Sequence, residues 1–315
     1  MKAFFYEAFG GPEVMRVGDL ADPGPRENEV LVAVRASSVN PLDFKMRSGA
    51  LRLLVGRTVP RITGADFAGE VVAAGAAAGD FRSGERVFGY TNAFARQQGA
   101  HAERVAVPAR QMRRIPNGLS FEEAAALPCT ALTAVAGLRS AAPLQGRSVL
   151  VNGATGGVGH MALRVARAHG ARVAARTSER NAELARSLGA DEVLLREAGP
   201  LAATKRTFDV IFDGWGHLTF GESAPALNRG GALVTPLPGA ALGFRALLAR
   251  LFGGKRVLFS NLLGRDEHWV ELLRLVEAGS LKAHIDATFS LDEAARAVAM
   301  VEEGRVHGKV VIRIP

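Results

Sequence analysis

The sequence predicts an α/β protein in which a doubly wound parallel sheet is combined with a second, barrel-like β domain. Up to about Pro116, short β-like runs are separated by turns that contain glycine and proline. From about Ser120 onward, helical and extended patterns alternate. A glycine-rich turn also joins an apolar run to a helical pattern at 149–162, which is typical of the first β-turn-α unit of a parallel sheet.

The predicted elements follow this division. In the N-terminal part we expect strands at 2–6, 30–36, 69–74, 86–89 and 103–108. A helical run at 121–138 leads into strand and helix units at 148–152, 156–169, 171–175, 179–188, 192–195, 208–213, 220–228 and 231–235. The C-terminal part predicts a helix at 267–278, an extended segment at 285–289, a helix at 291–302 and a strand at 309–314.

This pattern predicts three segments. Residues 1–119 form the β domain, 120–260 the parallel-sheet domain, and 261–315 a segment that returns to the first domain. A bound cofactor is expected in the cleft between the two domains.

The glycine-rich turn lies in the sequence VLVNGATGGVG at 149–159. Gly156, Gly157 and Gly159 permit a tight turn and close approach of a ligand, and the free N–H groups of the following helix favour a pyrophosphate. In the G-x-G-x-x-G pattern, Ala154 stands in place of the first glycine. A plain structural turn is the alternative interpretation.

The end of the second strand of the sheet indicates which dinucleotide binds. NAD sites usually carry an acidic residue there, whereas this chain has Arg176, Thr177 and Ser178, followed by Arg180. Hydroxyl and guanidinium groups suit a 2′-phosphate, so the sequence favours NADPH over NADH. Ser178 is also in position to cap the helix that begins near Glu179, and the two roles are compatible.

Composition excludes several classes of protein. The net charge is +8, but the basic residues are spread along the chain without runs or interleaved aromatics, so we do not expect nucleic-acid binding. The single cysteine excludes an internal disulfide and a cysteine-cluster metal site. No apolar run is long enough to span a bilayer and the N-terminus lacks the pattern of a signal peptide, so we expect a cytoplasmic protein without an integral membrane segment.

Many blocks of the chain, in order, resemble the medium-chain dehydrogenase/reductase superfamily. They are SSVNPLDFKMRSG (37–49), GADFAGEVVAAG (64–75), SGERVFGY (83–90), GAHAERVAVPA (99–109), EEAAALPCTALTA (122–134), VLVNGATGGVG (149–159), ARTSERNAELARSLGAD (176–191), FDVIFDGWG (208–216) and GKVVIRIP (308–315). Within it, the chain is similar to the zinc-free quinone oxidoreductase and alkenal/enone reductase branch. The resemblance implies a GroES-like catalytic domain and a Rossmann cofactor domain. We also expect a homodimer.

The resemblance also bears on metal binding. At the positions of the zinc ligands of related alcohol dehydrogenases, this chain has Asn40, Ala65 and Cys129, with Asp66 in place of a glutamate. One thiol and two non-ligands do not hold a tetrahedral zinc, so we expect no metal. Cys129 is interpreted as a small buried residue, with a reactive thiol as the alternative. The expected reaction is hydride transfer from NADPH to a quinone or to the C=C bond of an α,β-unsaturated carbonyl, which needs no Lewis acid.

The expected catalytic residues are Asn40, Asp43 and Lys45. By resemblance, Asn40 and Lys45 also face the nicotinamide end of the cofactor, where Lys45 binds a ribose hydroxyl or the developing oxyanion. An alternative for Asp43 is a structural pair with Arg47. Water is the expected source of the proton.

Arg196 is another expected cofactor contact, and it either stacks on the adenine or pairs with a phosphate. For Thr133, a hydrogen bond to its own helix backbone is the alternative. The further contacts are Asn152, Ala154, Thr155, Gly156, Gly157, Val158, Arg176, Thr177, Ser178, Arg180, Asp213, Gly214, Thr235, Leu237 and Lys309.

Three alternatives remain open. The segment 239–260 is interpreted as a substrate wall with a dimer-forming strand at 256–259, or as a membrane-surface segment. The chain is alternatively an enoyl-thioester reductase, or a non-catalytic protein that binds NADPH or nucleic acid.

Overall fold

The computed structural model describes residues 1–236, 254–260 and 265–315. They form two compact units: Met1–Cys129 together with Ala283–Pro315, and Thr130–Lys282. The sequence analysis placed the divisions after residues 119 and 260. The first unit extends further because the helix at Phe121–Ala125 packs on its strands.

The described strands, in chain order, are β1 (Lys2–Tyr6), β2 (Met15–Asp19), β3 (Glu29–Ser38), β4 (Arg61–Ile62), β5 (Asp66–Ala74), β6 (Arg86–Tyr90), β7 (Arg104–Pro108), β8 (Met112–Arg114), β9 (Ser148–Asn152), β10 (Arg172–Thr177), β11 (Glu192–Leu195), β12 (Phe208–Asp213), β13 (Leu227–Thr235), β14 (Arg256–Phe259), β15 (Ile285–Ser290) and β16 (Lys309–Arg313). The described α-helices are α1 (Pro41–Arg47), α2 (Arg52–Val55), α3 (Phe121–Ala125), α4 (Pro128–Ser140), α5 (Gly157–Ala168), α6 (Ala182–Ser187), α7 (Phe220–Ser223), α8 (Asp266–Glu277) and α9 (Ala294–Glu302). In the described ranges, no helix has both the length and the apolar character needed to cross a membrane.

The first unit contains two sheets. Three strands pair in the order β2-β1-β4, and seven form a second sheet in the order β15-β16-β3-β5-β6-β8, with β7 also paired to β3. The C-terminal β16 runs antiparallel to β3, with Val311 opposite Ser38. This pairing places the start of β16 beside the end of β3, which is where the polar site of this unit lies.

The first unit is not all-β, because α1 interrupts it directly after β3. Asn40 and Asp43 form a capping box at the start of α1, and Pro41 occupies the first helical position. These are local signals for the start of a helix, and the alternation of apolar and polar residues that predicts strands does not reveal them.

The predicted helix at 121–138 is two helices in the structure. Helix α3 ends at Ala125, and α4 begins with Pro128. Proline suits a first helical turn but disfavours helical backbone in the residue before it, so the chain breaks between the two helices.

The second unit contains a parallel sheet of six described strands in the order β11-β10-β9-β12-β13-β14. Numbered from its first strand, this is the order 3-2-1-4-5-6 of a doubly wound dinucleotide-binding sheet. The β strand predicted at 256–259 is β14, at the edge of the sheet and parallel to β13. In such sheets ligands bind beyond the carboxyl ends of the strands, where the strand order reverses, which here is between β9 and β12.

Candidate functional site

The glycine-rich loop follows β9 and leads into α5. Gly153 has a positive φ of 71°, which favours glycine, and Gly156 is the N-cap of α5. Ala154 and Thr155 are buried, whereas Gly156, Gly157 and Val158 are half-exposed at the start of the helix. The first N–H groups of a helix have no acceptor within the helix, so this exposed turn offers donors to an anion.

Two glycines of the loop have different roles. A Cβ on Gly159 would lie 2.0 Å from the carbonyl oxygen of Gly153, so this position maintains close packing within the loop. A Cβ on Gly156 would meet only the same oxygen, at 3.4 Å. The space in front of Gly156 is therefore open, as a site for close approach of a phosphate requires.

Polar side chains behind the loop fix the ends of three strands. Asn152 donates from Nδ2 to Asp213 Oδ1 at 2.8 Å, and its Oδ1 accepts from the Arg176 guanidinium at 3.2 Å. Asp213 is fully buried, and its other oxygen accepts from the backbone N–H of Leu218 at 2.7 Å. These groups brace the site from within, and Gly214 beside them permits the chain to pass close to Gly159.

The end of β10 holds the hydroxyl groups that the sequence assigned to a 2′-phosphate. Thr177 and Thr155 pair through their hydroxyls at 3.2 Å, and Asn181 donates to Thr155 at 3.3 Å. Ser178 is buried at the N-cap of a 3₁₀ turn at Glu179–Asn181, but its side chain makes no capping hydrogen bond. The capping role proposed for Ser178 is therefore absent in this structure.

A carboxylate reaches the same edge from the next strand. Glu197 accepts a hydrogen bond from the backbone N–H of Glu179 at 3.2 Å. Sequence reasoning searched for an acidic residue only directly after β10 and missed this one, because it follows β11 and is brought there by parallel pairing.

Three arginines surround this edge. Arg176 is held inside by Asn152 and by the carbonyl oxygen of Gly199, so it braces the loop. Burial and the nearby Arg196 cation both lower its pKa. Arg180 and Arg196 are exposed, and neither forms an ion pair with any residue that the structure describes.

Trp215 is a candidate site residue that the sequence analysis missed. It lies two residues after the end of β12, is 53% exposed and lies against Gly153. The Arg196 guanidinium lies over its ring at 5.2 Å from the centroid. Because β10 and β9 lie between β11 and β12, this stack crosses the carboxyl ends of β10 and β9. The sequence contained a signal for this residue, since a tryptophan just after a predicted strand of a parallel sheet lies at the edge where ligands bind.

Thr133 and Thr235, two further predicted cofactor contacts of the second unit, are both hydrogen-bonded to Ser260. Its hydroxyl donates to the carbonyl oxygen of Thr133, and its backbone N–H donates to the carbonyl oxygen of Thr235 at 3.0 Å. Both threonines are buried. Leu237 lies outside the described residues, as does most of the segment 239–260.

A buried polar network lies in the first unit where β3, β5 and β16 come together. Lys309 is 2% exposed and donates from Nζ to Asn40 Oδ1 at 2.7 Å, to the carbonyl oxygen of Val39 at 3.2 Å and to Asp66 Oδ2 at 3.3 Å. The three acceptors match the three donors of an ammonium group. Asn40 donates in turn to Asp66 at 2.8 Å and to the carbonyl oxygen of Ser38 at 3.2 Å. The amide of Asn40 is thereby held in one orientation.

Asp43 is 1% exposed, and both of its oxygens accept from backbone N–H groups, those of Asn40 and Gly64, each at 2.8 Å. Burial raises the pKa of Asp43 to about 7, against the opposing effect of these two hydrogen bonds. The proposed pairing of Asp43 with Arg47 was wrong. Arg47 instead forms an ion pair with Glu302, at 2.7 Å, because α9 packs against α1.

Lys45 is the third residue that the sequence assigned to catalysis. It is half-buried in α1, and its ammonium makes no hydrogen bond or ion pair with the described residues. The polar side-chain groups of Asn40 and Asp43 are engaged in hydrogen bonds, whereas the Lys45 ammonium donates to no residue in the described part of the chain.

Cys129 and His101 complete the surroundings of this network. The backbone N–H of Cys129 donates to Asp66 Oδ1 at 2.7 Å. Burial, followed by the negative charge of Asp66, raises the pKa of the Cys129 thiol well above its usual value, so a reactive thiolate is disfavoured. His101 is fully buried beside Thr63, with 2.9 Å between its Nδ1 and the hydroxyl, and burial lowers its pKa to about 4.

These groups do not fit a zinc ion. Ala65 offers no donor atom and Asn40 offers a weak amide oxygen, so of these three positions Cys129 alone carries a usual zinc ligand. The Lys309 ammonium, between Asn40 and Asp66, already supplies the positive charge. Across the described ranges, no group of three or more His, Cys, Asp or Glu side chains is placed to hold a metal.

Comparison with protein families gives two matches. The family described as alcohol dehydrogenase GroES-like domain matches residues 26–117, and the family described as zinc-binding dehydrogenase matches residues 188–312.

Individual proteins match the whole chain. The 2-methylene-furan-3-one reductase of Solanum lycopersicum is 35% identical over 323 residues, which cover 99% of this chain and 79% of that protein. The chloroplastic NADPH-dependent alkenal/one oxidoreductase of Arabidopsis thaliana is 31% identical, with coverage of 99% and 79%. The solved structure of the quinone oxidoreductase from Coxiella burnetii has a TM-score of 0.92 at 30% identity and covers 100% of this chain and 99% of that chain.

Proposed function

The chain belongs to the medium-chain dehydrogenase/reductase superfamily of nicotinamide-dependent oxidoreductases, and we propose that it transfers a hydride from NADPH to a quinone or an α,β-unsaturated carbonyl without zinc. The observation that carries the proposal is the Lys309 ammonium bound by Asn40 and Asp66. Without a Lewis acid, oxidation of a simple alcohol is disfavoured, whereas an activated C=C bond or a quinone accepts hydride directly.

The residues of the second unit fit the dinucleotide. The open space at Gly156 and the N–H groups of the first turn of α5 suit its pyrophosphate. The exposed arginines Arg180 and Arg196 suit a 2′-phosphate, and the exposed face of Trp215 suits a base. When bound, the reduced nicotinamide supplies the hydride.

Glu197 is the observation that favours the other dinucleotide, because a carboxylate at this edge suits a ribose 2′-hydroxyl. In this structure, however, Glu197 accepts the N–H of Glu179. Arg180 and Arg196 are the sequence neighbours of these two residues, and neither forms an ion pair with a described residue. We therefore propose NADPH as the preferred cofactor.

In the first unit, Lys45 is the donor that we assign to the substrate oxygen on which negative charge develops. Asn40, Asp43 and Lys309 have their polar atoms engaged with each other, with Asp66 or with the backbone. We propose that they position α1 and the walls of the site, and that water supplies the proton.

The experiment is to measure NADPH oxidation by the purified chain with a quinone, a 2-alkenal and an enoyl-CoA in parallel. The proposal predicts turnover of the quinone or the alkenal. Preference for the enoyl-CoA would instead identify a thioester reductase. Dinucleotide binding without turnover of any acceptor would favour a non-catalytic role.

A further inference from the structure

Large apolar side chains are exposed mainly at one place on the first unit. Among the described residues, the exposed large hydrophobics are Leu53, Leu54, Val59, Val72, Phe94, Trp215 and Val270. Four of these seven, namely Leu53, Leu54, Val59 and Phe94, belong to two neighbouring segments, and we call them the apolar tip. Leu53 is 85% and Leu54 64% exposed, so both project from the surface of the protein.

The two segments of the apolar tip are held together. Val55 of α2 and Ala93 of the 3₁₀ turn at Ala93–Ala95 share one small buried cluster. The buried guanidinium of Arg61 donates to the carbonyl oxygens of both residues, at 3.0 and 3.2 Å. Leu53 and Phe94 are therefore presented from one braced support.

The charged residues within the two segments that carry the apolar tip are all basic. Residues 44–65 and 91–102 contain no aspartate or glutamate. Arg52, Arg57 and Arg96 are exposed there, and none of them forms an ion pair with the described part of the chain. Elsewhere, many exposed arginines are paired, as Arg16 is with Glu7.

From these observations we propose that the apolar tip inserts into the surface of an anionic phospholipid bilayer, with Arg52, Arg57 and Arg96 bound to the headgroups. Projecting leucine and phenylalanine side chains flanked by unpaired arginines match the apolar and anionic layers of such an interface. A nucleic acid would match the arginines but not the aliphatic side chains. A protein partner would require matching pockets, whereas a bilayer accepts projecting side chains in any arrangement. The proposal does not depend on the reaction proposed above.

The test is flotation of the full chain with vesicles at low ionic strength. One set contains phosphatidylcholine alone, and the other contains phosphatidylcholine mixed with phosphatidylglycerol. We expect binding to the anionic set only, and loss of binding as salt is added. Because the whole chain carries a net charge of +8, binding of the wild type alone does not distinguish insertion from general attraction.

The decisive variants change apolar contact without changing charge. Replacement of both leucines, Leu53→Ser with Leu54→Ser, is expected to reduce the partition coefficient at least about tenfold. The matched control is Val72→Ser with Val270→Ser, which removes exposed apolar side chains elsewhere and is expected to have no effect. All four side chains are exposed, so the thermal midpoint should stay unchanged.

A second pair of variants tests the charge. Arg52→Gln with Arg57→Gln is expected to weaken binding about fivefold per arginine. The control is Arg82→Gln with Arg186→Gln, which removes the same charge from exposed positions outside the two segments of the tip. The proposal is overturned if the wild type does not bind anionic vesicles, or if the serine double variant binds as well as the wild type. It is equally overturned if that variant instead changes the oligomeric state measured by light scattering, because the tip would then be a protein interface.

Discussion

Lys309 and Asp66 form an ion pair that is 2% and 0% exposed, with 3.3 Å between Nζ and Oδ2. The two residues come from the last strand of the chain and from β5, and Asn40 bridges them by hydrogen bonds to both. A buried carboxylate without its cation is costly, whereas the complete pair with its hydrogen bonds is tolerated. The return of the C-terminal segment to the first unit is thus coupled to the polar network of the site.

This pair predicts a large effect of Lys309→Met on folding. Removal of the ammonium leaves Asp66 buried without a cation and is expected to cost roughly 3–5 kcal/mol of the free energy of unfolding. Denaturant unfolding measures this. Lys2→Met is the control, because Lys2 pairs with Asp292 on the exposed surface and its loss should change little. Equal midpoints for the two variants would show that the buried pair contributes nothing.

The glycine loop predicts that two substitutions separate folding from ligand binding. Gly156→Val introduces a side chain into open space, at a φ of −80° that any residue adopts, so the thermal midpoint should be retained while dinucleotide binding is lost. Gly159→Ala places a Cβ against the Gly153 carbonyl oxygen and should lower the thermal midpoint itself. Calorimetric titration and thermal unfolding provide the two measurements. If Gly156→Val still bound NADPH with wild-type affinity, this loop would not hold the phosphates.

His101 predicts a pH dependence of stability. Its pKa is about 4 in the folded protein and about 6.5 when unfolded, so between these values the unfolded chain binds the extra proton. The contribution of the neutral His101 side chain to the free energy of unfolding is therefore fully present above about pH 6.5 and is lost as the pH falls toward 4. Asp43, whose pKa is raised to about 7, has the opposite dependence. The quantity to compare is therefore the difference in the free energy of unfolding between the wild type and His101→Gln, in which the effect of Asp43 cancels.

That difference is obtained from denaturant unfolding at a series of pH values. The stability of the wild type should decline relative to His101→Gln as the medium is acidified through this range. A difference that stays constant with pH would mean that His101 is protonated as readily in the folded protein as in the unfolded chain.

The exposed arginines predict the cofactor preference. Arg180→Ala should raise the Kd for NADPH several-fold and leave the Kd for NADH nearly unchanged, because the lost cation matters to the 2′-phosphate alone. Arg186→Ala, which removes another exposed arginine from the adjacent α6, is the control. Binding can be followed by the change in emission of Trp215, which is 53% exposed, against the background emission of the fully buried Trp269. Equal changes for both dinucleotides would contradict the assignment to NADPH.

Much of the fold could be predicted because it depends on local patterns. The apolar runs at 2–6, 148–152, 192–195 and 208–213 coincide with β1, β9, β11 and β12. The short strands β2, β4 and β8 were missed, because each is defined by its pairing with a distant strand more than by its own periodicity.

The candidate site was less accessible to sequence reasoning. The glycine loop was found because its residues are contiguous. The contact of Lys309 with Asn40 joins residues 269 positions apart, and only the pairing of β16 with β3 brings them together. The stack of Arg196 on Trp215 depends in the same way on the order of the strands in the sheet. Local spacing contains no information on such contacts.

The central claim is metal-independent hydride transfer to an activated double bond, and isotope transfer tests it most directly. Protein dialysed against a zinc chelator is supplied with NADPH carrying deuterium at the transferred position and with a 2-alkenal, and the product is analysed by mass spectrometry and NMR. We predict a saturated aldehyde with deuterium at the β-carbon, formed at the rate of untreated protein. Deuterium at the carbonyl carbon, or activity that is lost on chelation and restored by zinc, would contradict the account.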